Sequence, residues 1–194
     1  MLARLERALV ALPQWLDDPG GWNTLDVNYH PPRVERLYRN FEDGRVFLHC
    51  IHPCEPDEAL VHPHPWPSAM LVLSGTYRTR VGYAPGLQEP IMVYESMVTA
   101  WPKTDYRYVM DHPDGWHAVM PEGGPVYTVM VTGPKWKRPQ LPVTECAAGK
   151  LKGLPDERKE DLLRTFQLYM NWRQAQFEIP EGADVFGTPP TTSD

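Results

Sequence analysis

The sequence has few cysteines and no long apolar run. It contains three cysteines among its 194 residues, a small and odd number that does not make a disulfide framework. No segment approaches the ~18 consecutive apolar residues of a membrane-spanning helix. Arg4 and Arg7 interrupt the N-terminal apolar run, so it lacks the continuous apolar region of a secretory signal. We therefore expect a cytoplasmic protein that does not span a membrane.

Positive charge is also scarce. Nineteen Lys and Arg against 25 Asp and Glu give a net charge of −6 at pH 7, which disfavours binding to nucleic-acid phosphates. Proline, by contrast, is abundant at 22 residues, and many prolines separate short apolar runs, where they mark turns and exclude a long helical bundle. We expect a single globular domain whose partner is a small molecule.

The two ends of the chain show helical periodicity. Leucines recur through residues 1–16 at the spacing of one helix face, and apolar residues do the same from about Asp156 to Ala175, after Pro155. These stripes predict helices that pack on the outside of the main domain, although the first one also suits a dimerisation arm. The final segment, 187–194, has the composition of a flexible tail.

The middle of the chain predicts short strands. Runs rich in Val, Tyr, Leu and Met alternate with Pro, Gly and Asp, and no helical period interrupts them. The predicted organisation is an N-terminal helix and linker (1–27), a β barrel (28–140), a C-terminal helical segment (141–186) and the tail. The predicted strands are Val34–Tyr38, Arg45–Ile51, Ala69–Ser74, Tyr77–Tyr83, Ile91–Thr99, Tyr106–Met110, Trp116–Met120 and Val126–Thr132.

Histidines carry the main chemical signal. His62 and His64 alternate with prolines that hold the segment extended, so the two imidazoles project to the same side and can bind one metal ion. A third ligand must come from elsewhere. His117 follows the turn that begins at Pro113 and enters a predicted strand, which makes it the candidate for the third ligand.

These segments resemble the two motifs of the cupin superfamily. His62, His64 and Gly75 fit the spacing of the first motif, and Pro113, Gly115 and His117 fit the second with one residue fewer before the histidine. The resemblance covers about residues 30–140. It implies an all-β, cupin-type double-stranded β-helix, a jelly-roll barrel, with N- and C-terminal flanking helices. Since many cupins are dimers, it also implies a homodimer.

The chain departs from the family at one ligand. Ser68 or Ala69 stands where cupins usually have a metal-binding glutamate. The implied ligand set is three neutral histidines, as in the cupins that include thiol dioxygenases and diketone-cleaving dioxygenases. Imidazole suits several divalent metals, with Fe(II) favoured by the resemblance and Zn or Ni as alternatives. A neutral ligand set leaves the metal's charge uncompensated, which favours a small, chelating anionic substrate.

The resulting hypothesis is a mononuclear metal-dependent oxidoreductase of the dioxygenase type. Two alternatives stay open: a non-oxidative metal-dependent isomerase or lyase, and a metal-free cupin binding module. Glu95 is a candidate for the missing carboxylate. Tyr77, Tyr108 and Tyr127 are candidate catalytic residues, because a phenol that reaches the barrel interior can orient a substrate or pass a proton.

Two further groups of residues are weaker candidates for a functional site. His49, Cys50, His52 and Cys54 have the ligand types of a zinc site, but their spacing fits no common zinc motif, and His49 and Cys50 point to opposite faces of a strand. Arginines at positions 45, 78 and 80 are possible clamps for a carboxylate, although the simpler expectation places them at the surface.

Overall fold

The chain forms one antiparallel sheet flanked by two helices. The computed structural model describes residues 1–84, 91–100, 106–137 and 151–177, with the backbone alone at positions 92, 93, 100, 176 and 177. In chain order the elements are α1 (Leu2–Leu16), β1 (Asn23–Val27), β2 (Val34–Phe41), β3 (Gly44–Ile51), β4 (His62–Pro63), β5 (Ser68–Tyr83), β6 (Ile91–Ala100), β7 (Tyr106–Met110), β8 (Gly115–Thr132) and α2 (Asp156–Phe177). The predicted fold class, all-β with a helix at each end, is confirmed.

Two long strands, β5 and β8, organise the sheet. The strand order is β1-β2-β3-β8-β5-β6, with β4 also paired to β8 and β7 also paired to β5. The first half of β5 and the second half of β8 belong to one part of the sheet, and their other halves belong to the part that carries β4 and β6. The register between β5 and β8 shifts around Ser74, so the sheet changes course there.

Bends inside these strands explain where the strand predictions differ from the structure. Ala69–Ser74 and Tyr77–Tyr83 were predicted as separate strands, but they form one, because Gly75 bends the strand without ending it. Gly75 has a φ of +100°, and a Cβ there would lie 2.8 Å from a side-chain carbon of Val126. A glycine is therefore required at this bend.

The predicted domain boundary also needs correction. β1 lies inside the segment that was predicted as a helix and linker, so the sheet begins before residue 28. The signal was short, since β1 contributes only two apolar residues, Leu25 and Val27, after a Pro-Gly-Gly turn. Residues 141–150 and the predicted tail, 187–194, lie outside the described part of the chain.

Both helices pack on the outer face of the sheet, as predicted. Leu5 and Leu12 of α1 and Phe166 of α2 are fully buried in one cluster with Leu37 and Leu48 of the sheet. α1 continues through Pro13 to Leu16. Among the described residues, neither helix combines the length and the apolar character that crossing a lipid bilayer requires.

Alternation along β3 shows how the sheet is buried on both faces. Val46, Leu48 and Cys50 point toward the helices and join their core cluster. Phe47 lies in a different cluster, and His49 lines a cavity. The inner face of the sheet therefore carries the polar side chains that matter for a site, while the outer face anchors the helices.

A buried carboxylate fastens α2 to the sheet. Glu35 of β2, with its side chain 4% exposed, accepts hydrogen bonds from Arg158 of α2 at 2.9 and 2.5 Å. The Nε2 atom of His52 lies 2.9 Å from Oε2 of Glu35. Burial alone would raise the pKa of Glu35, but the hydrogen bonds from Arg158 and His52 outweigh it and lower that pKa to about 2.

This pKa predicts how stability depends on pH. Because the pKa of Glu35 falls from 4.5 to about 2 on folding, its stabilising contribution is complete above pH 4.5 and is lost as the pH falls toward 2. The contribution is roughly 3 kcal/mol. We expect Glu35→Gln to lower the free energy of unfolding by about that amount at pH 7, by less than half of it near pH 3, and by little near pH 2. Urea unfolding across this range measures the difference, and a difference that does not change with pH would contradict the assignment.

Candidate metal centre and substrate cavity

Three histidines converge on the inner side of the sheet. His62 of β4 pairs directly with His117 of β8, and His64 follows His62 on the same side of the extended segment. One nitrogen from each ring lies within 4.8 Å of the others. The structure therefore brings together the three residues that the motifs singled out, although the binding of a metal by them remains a proposal.

Hydrogen bonds fix the orientation of two of the rings. Nδ1 of His62 lies 3.1 Å from the carbonyl oxygen of Leu60 and donates to it. Nδ1 of His64 lies 2.8 Å from Oγ of Ser68. Ser68 is one of the two residues, with Ala69, at the position that the resemblance assigns to a glutamate, and here its hydroxyl fixes the orientation of the His64 ring. These contacts leave Nε2 of both rings available for a metal.

The spacing of the nitrogens fits one divalent ion. Nε2 of His64 lies 3.0 Å from Nε2 of His117. Two nitrogens that each lie about 2.1 Å from a metal, at right angles to one another, are about 3.0 Å apart. Two imidazoles alone can share a proton at this distance, but the third nitrogen, from His62, favours shared coordination instead.

The charge state of the rings also suits a metal site. Burial lowers the pKa of His62 to about 4, against the hydrogen bond to Leu60, which raises it, and burial lowers the pKa of His64 to about 3. Burial, followed by the nearby His64 and His62, also holds the pKa of His117 well below its usual value. All three rings are therefore neutral at pH 7, which is the form that binds metal ions.

The histidines lie in the wall of a cavity. Its volume is about 230 Å³, which is below the roughly 300–1,000 Å³ of pockets for drug-sized molecules. Most of its wall is apolar, with residues such as Ile51, Met70 and Met130. His30 lies beside His62, with 6.5 Å between the ring centres. The dimensions suit a molecule of a few non-hydrogen atoms.

An arginine that sequence reasoning missed lies in the same wall. Arg36 of β2 is directly opposite His49 of β3, and its guanidinium carbon lies 5.2 Å from the centre of the Phe47 ring. Its Nε is buried without a hydrogen-bond partner, and no described carboxylate lies within ion-pair distance of it. Burial lowers the pKa of Arg36 to about 10, so the group stays charged at pH 7.

The cavity is therefore electropositive. It contains one guanidinium, the neutral imidazoles of His62, His64 and His117, and no aspartate or glutamate among its described lining residues. An unpaired buried charge is costly unless something neutralises it, and the missing partner here must be negative. Arg36 was hidden in the sequence because it stands next to another charged residue, Glu35, in a predicted strand, and nothing local shows which of the two faces inward. Only its pairing with His49 shows which way it faces.

The predicted tyrosines do not line this cavity in the described structure. Tyr77 is 1% exposed and packs in the inner core, and Tyr108 packs against that cluster while its hydroxyl lies 2.9 Å from Sδ of Met70. The expectation that Tyr127 reaches the interior is wrong, because its ring packs against Phe166 of α2 on the outer face. The three phenols do not share a site in the described structure, and their catalytic role stays a prediction.

Glu95 does not complete the metal centre. It lies opposite Arg80 in the β5–β6 register, and Arg80 is next to Val81, the direct partner of His117. Glu95 therefore faces the outer side, where it pairs with Arg80 at 2.5 Å and with Arg78 at 3.4 Å. The carboxylate of Glu95 is 42% exposed. Both arginines lie at the surface, as expected.

A second group of metal-ligand types lies under α2. One ligand atom each from Glu35, Cys50 and His52 lie within 4.8 Å of one another. Arg158 already places its guanidinium on the carboxylate of Glu35, and burial raises the pKa of the Cys50 thiol to about 11. A cation would have to displace that guanidinium and deprotonate the thiol. This group is better described as the anchor of α2.

The comparisons with known proteins gave only distant structural similarities. No protein-family model matches the chain, and no curated protein matches it. Among solved structures, it is similar to hydroxypropylphosphonic acid epoxidase from S. wedmorenis (14% identity, TM-score 0.44, 59% of this chain and 56% of that one). A structure of Fe(II) HppE with an alternative substrate (15%, 0.44, 59% and 57%) and one of CapF with an inhibitor (15%, 0.39, 58% and 30%) also match. The chain thus spans little more than half the length of the epoxidase, and the site described above rests on its own residues.

Proposed function

We propose that the protein is a mononuclear metal-dependent oxidoreductase of the dioxygenase type, which acts on a small chelating anion. The proposed metal is Fe(II), held by His62, His64 and His117. The observation that carries the proposal is the presence, in one small cavity, of three converging neutral imidazoles and the unpaired guanidinium of Arg36.

The chain's own residues have separate tasks in this proposal. Arg36 binds the negative group of the substrate, and the apolar wall excludes water and so strengthens that attraction. Ser68 and the carbonyl of Leu60 hold the ligand rings in place. A divalent iron would supply Lewis acidity toward a coordinating thiol, enol or carboxylate, and a redox couple that the side chains lack.

Oxygen consumption tests this function against its non-oxidative alternative. Protein loaded with Fe(II) is mixed with a panel of small thiol carboxylates, 2-oxo acids and β-diketones in an oxygen-electrode cell. We expect at least one compound to drive oxygen uptake that depends on iron and is lost in His117→Ala, while His112→Ala, at an exposed histidine, retains it. Conversion of a compound without oxygen uptake, and equally well with Zn or Ni, would instead support an isomerase or lyase.

A further inference from the structure

Three buried side-chain nitrogens in the cavity wall have no hydrogen-bond partner among the described residues. They are Nε of Arg36, Nε1 of Trp66 and a ring nitrogen, Nε2, of His49. All three side chains line the same cavity. Buried polar groups nearly always have hydrogen-bond partners in folded proteins. Three groups without a partner in one cavity wall therefore point to a ligand that supplies the missing hydrogen bonds.

The ring of Phe47 brings these groups together. The Arg36 guanidinium carbon lies 5.2 Å from its centre, and the rings of His49 and Trp66 stack on it at 5.8 and 6.2 Å. Arg36 and His49 are direct cross-strand partners on β2 and β3, which places their side chains next to one another. One aromatic ring thus supports a cluster of three polar side chains.

The geometry points to an oxyanion cradle in which His49 and Trp66 join Arg36 in binding one carboxylate group of the substrate. This inference rests on the proposed function and adds a substrate class to it: small molecules in which a carboxylate stands close to the group that binds the metal. A carboxylate has two oxygens and about four lone-pair sites, which is enough to accept from three donors.

A contact with the neighbouring strand β8 determines which ring nitrogen of His49 carries the proton. Its Nδ1 lies 3.2 Å from Oγ1 of Thr128, its cross-strand partner on β8. When the threonine hydroxyl donates to Nδ1, the proton of a neutral ring lies on Nε2 and is directed at the cavity. Burial first, and the charge of Arg36 second, hold the pKa of His49 well below its usual value, so the ring is neutral. Thr128 is therefore a positioning residue.

The cradle and the proposed metal centre line the same cavity, so both can contact one molecule. His117 and Thr128 lie on the two halves of β8, and both halves contribute to the same cavity through His117 and Met130. Arg36 and His49 of the cradle lie on β2 and β3, His62 and His117 lie on β4 and β8, and Trp66 follows His64 in the segment that joins β4 to β5. A cavity of about 230 Å³ keeps the two sides within the reach of one small molecule.

Two thiols that differ in a carboxylate test the cradle. Co(II)-loaded protein is titrated with mercaptoacetate and with ethanethiol, and the thiolate-to-cobalt absorption band reports binding of each. His49→Phe keeps a ring stacked on Phe47. We expect it to lower the affinity for mercaptoacetate by about tenfold or more, which is the effect of losing one hydrogen bond to a charged group. The affinity for ethanethiol should change by less than about twofold in His49→Phe. We expect Trp66→Phe to have the same two effects as His49→Phe. The control His112→Phe should leave the affinity for both thiols unchanged.

The outcomes separate the cradle from the function on which it rests. If the His49 and Trp66 variants lose affinity for both thiols equally, or for neither, the cradle is overturned. Protein that takes up cobalt but binds neither thiol overturns the proposed function, and a metal-free measurement then decides on the cradle. In that measurement acetate is added to ¹⁵N-labelled apoprotein. A shift of the indole N–H signal of Trp66, assigned by Trp66→Phe, supports the cradle, and an unmoved signal overturns it.

Discussion

Arg36→Met is expected to make the protein more stable and less able to bind an anion. Nε of Arg36 is buried without a hydrogen-bond partner among the described residues, and replacing this partly buried charge with an apolar side chain of similar length removes its desolvation cost. We expect the free energy of unfolding to rise by about 1–3 kcal/mol. Urea unfolding of the metal-free protein measures this change independently of any activity.

The same substitution should weaken the binding of carboxylates. Charge-assisted hydrogen bonds contribute about 1.5–3 kcal/mol, so the affinity of the Co(II) protein for mercaptoacetate should fall by between about tenfold and a hundredfold. Arg45→Met is the matched control, because Arg45 is exposed and lies over the ring of Tyr38, outside the cavity. A variant at Arg36 that loses stability and keeps its affinity would show that the arginine is structural.

His64→Ala is expected to remove most of the metal. Changes to residues that merely orient a ligand already cost about 10–100-fold in affinity, so the loss of a ligand should cost at least about a hundredfold. We expect Co(II) affinity to fall by that amount and metal content after dialysis to approach zero. Ser68→Ala, which removes only the hydroxyl 2.8 Å from Nδ1 of His64, should cost about tenfold.

Controls in the second cluster make the His64 result decisive. Cys50→Ser and His52→Ala remove two of the three ligand types gathered under α2. If the metal is bound by His62, His64 and His117, both variants keep full metal content. Loss of metal in either of them, with retention in His64→Ala, would move the metal site to the cluster beneath α2.

The sequence was sufficient to predict both helices, most of the strand regions and the three histidines that converge. Leucine periodicity gave α1, and Pro155 with the following acidic residues gave the start of α2. The His62 and His64 pair was predictable because prolines hold the segment extended, where alternate side chains point the same way. His117 required a spacing that resembles a known family, since nothing local shows that its strand lies beside β4.

The sequence could not show which side of the sheet the side chains occupy after a bend in a strand. On β8, His117 and Val119 line the cavity, and after the turn at Gly123 (φ +73°) the inward positions become Thr128 and Met130. Odd positions therefore face inward in the first half of the strand and even positions in the second. Strict alternation carries no information about where such a change occurs. This change is why Tyr127 faces α2.

Cross-strand partners were the other missing information. Arg36, His49 and Trp66 come from three separate segments, and only the register of β2 with β3 and the stacking on Phe47 bring them together. Each of them taken alone has an ordinary structural explanation. The proposed substrate-binding side of the site is therefore a product of tertiary structure, whereas two of the three proposed metal ligands, His62 and His64, are predictable from one local segment.

An anomalous-scattering map tests the central claim most directly. Crystals of the protein grown with Fe(II) under anaerobic conditions are measured on both sides of the iron absorption edge. We predict one strong peak in the cavity, about 2.0–2.3 Å from a ring nitrogen of each of His62, His64 and His117. The absence of a peak there in iron-saturated crystals, or a peak beside Glu35, Cys50 and His52 instead, would contradict the claim.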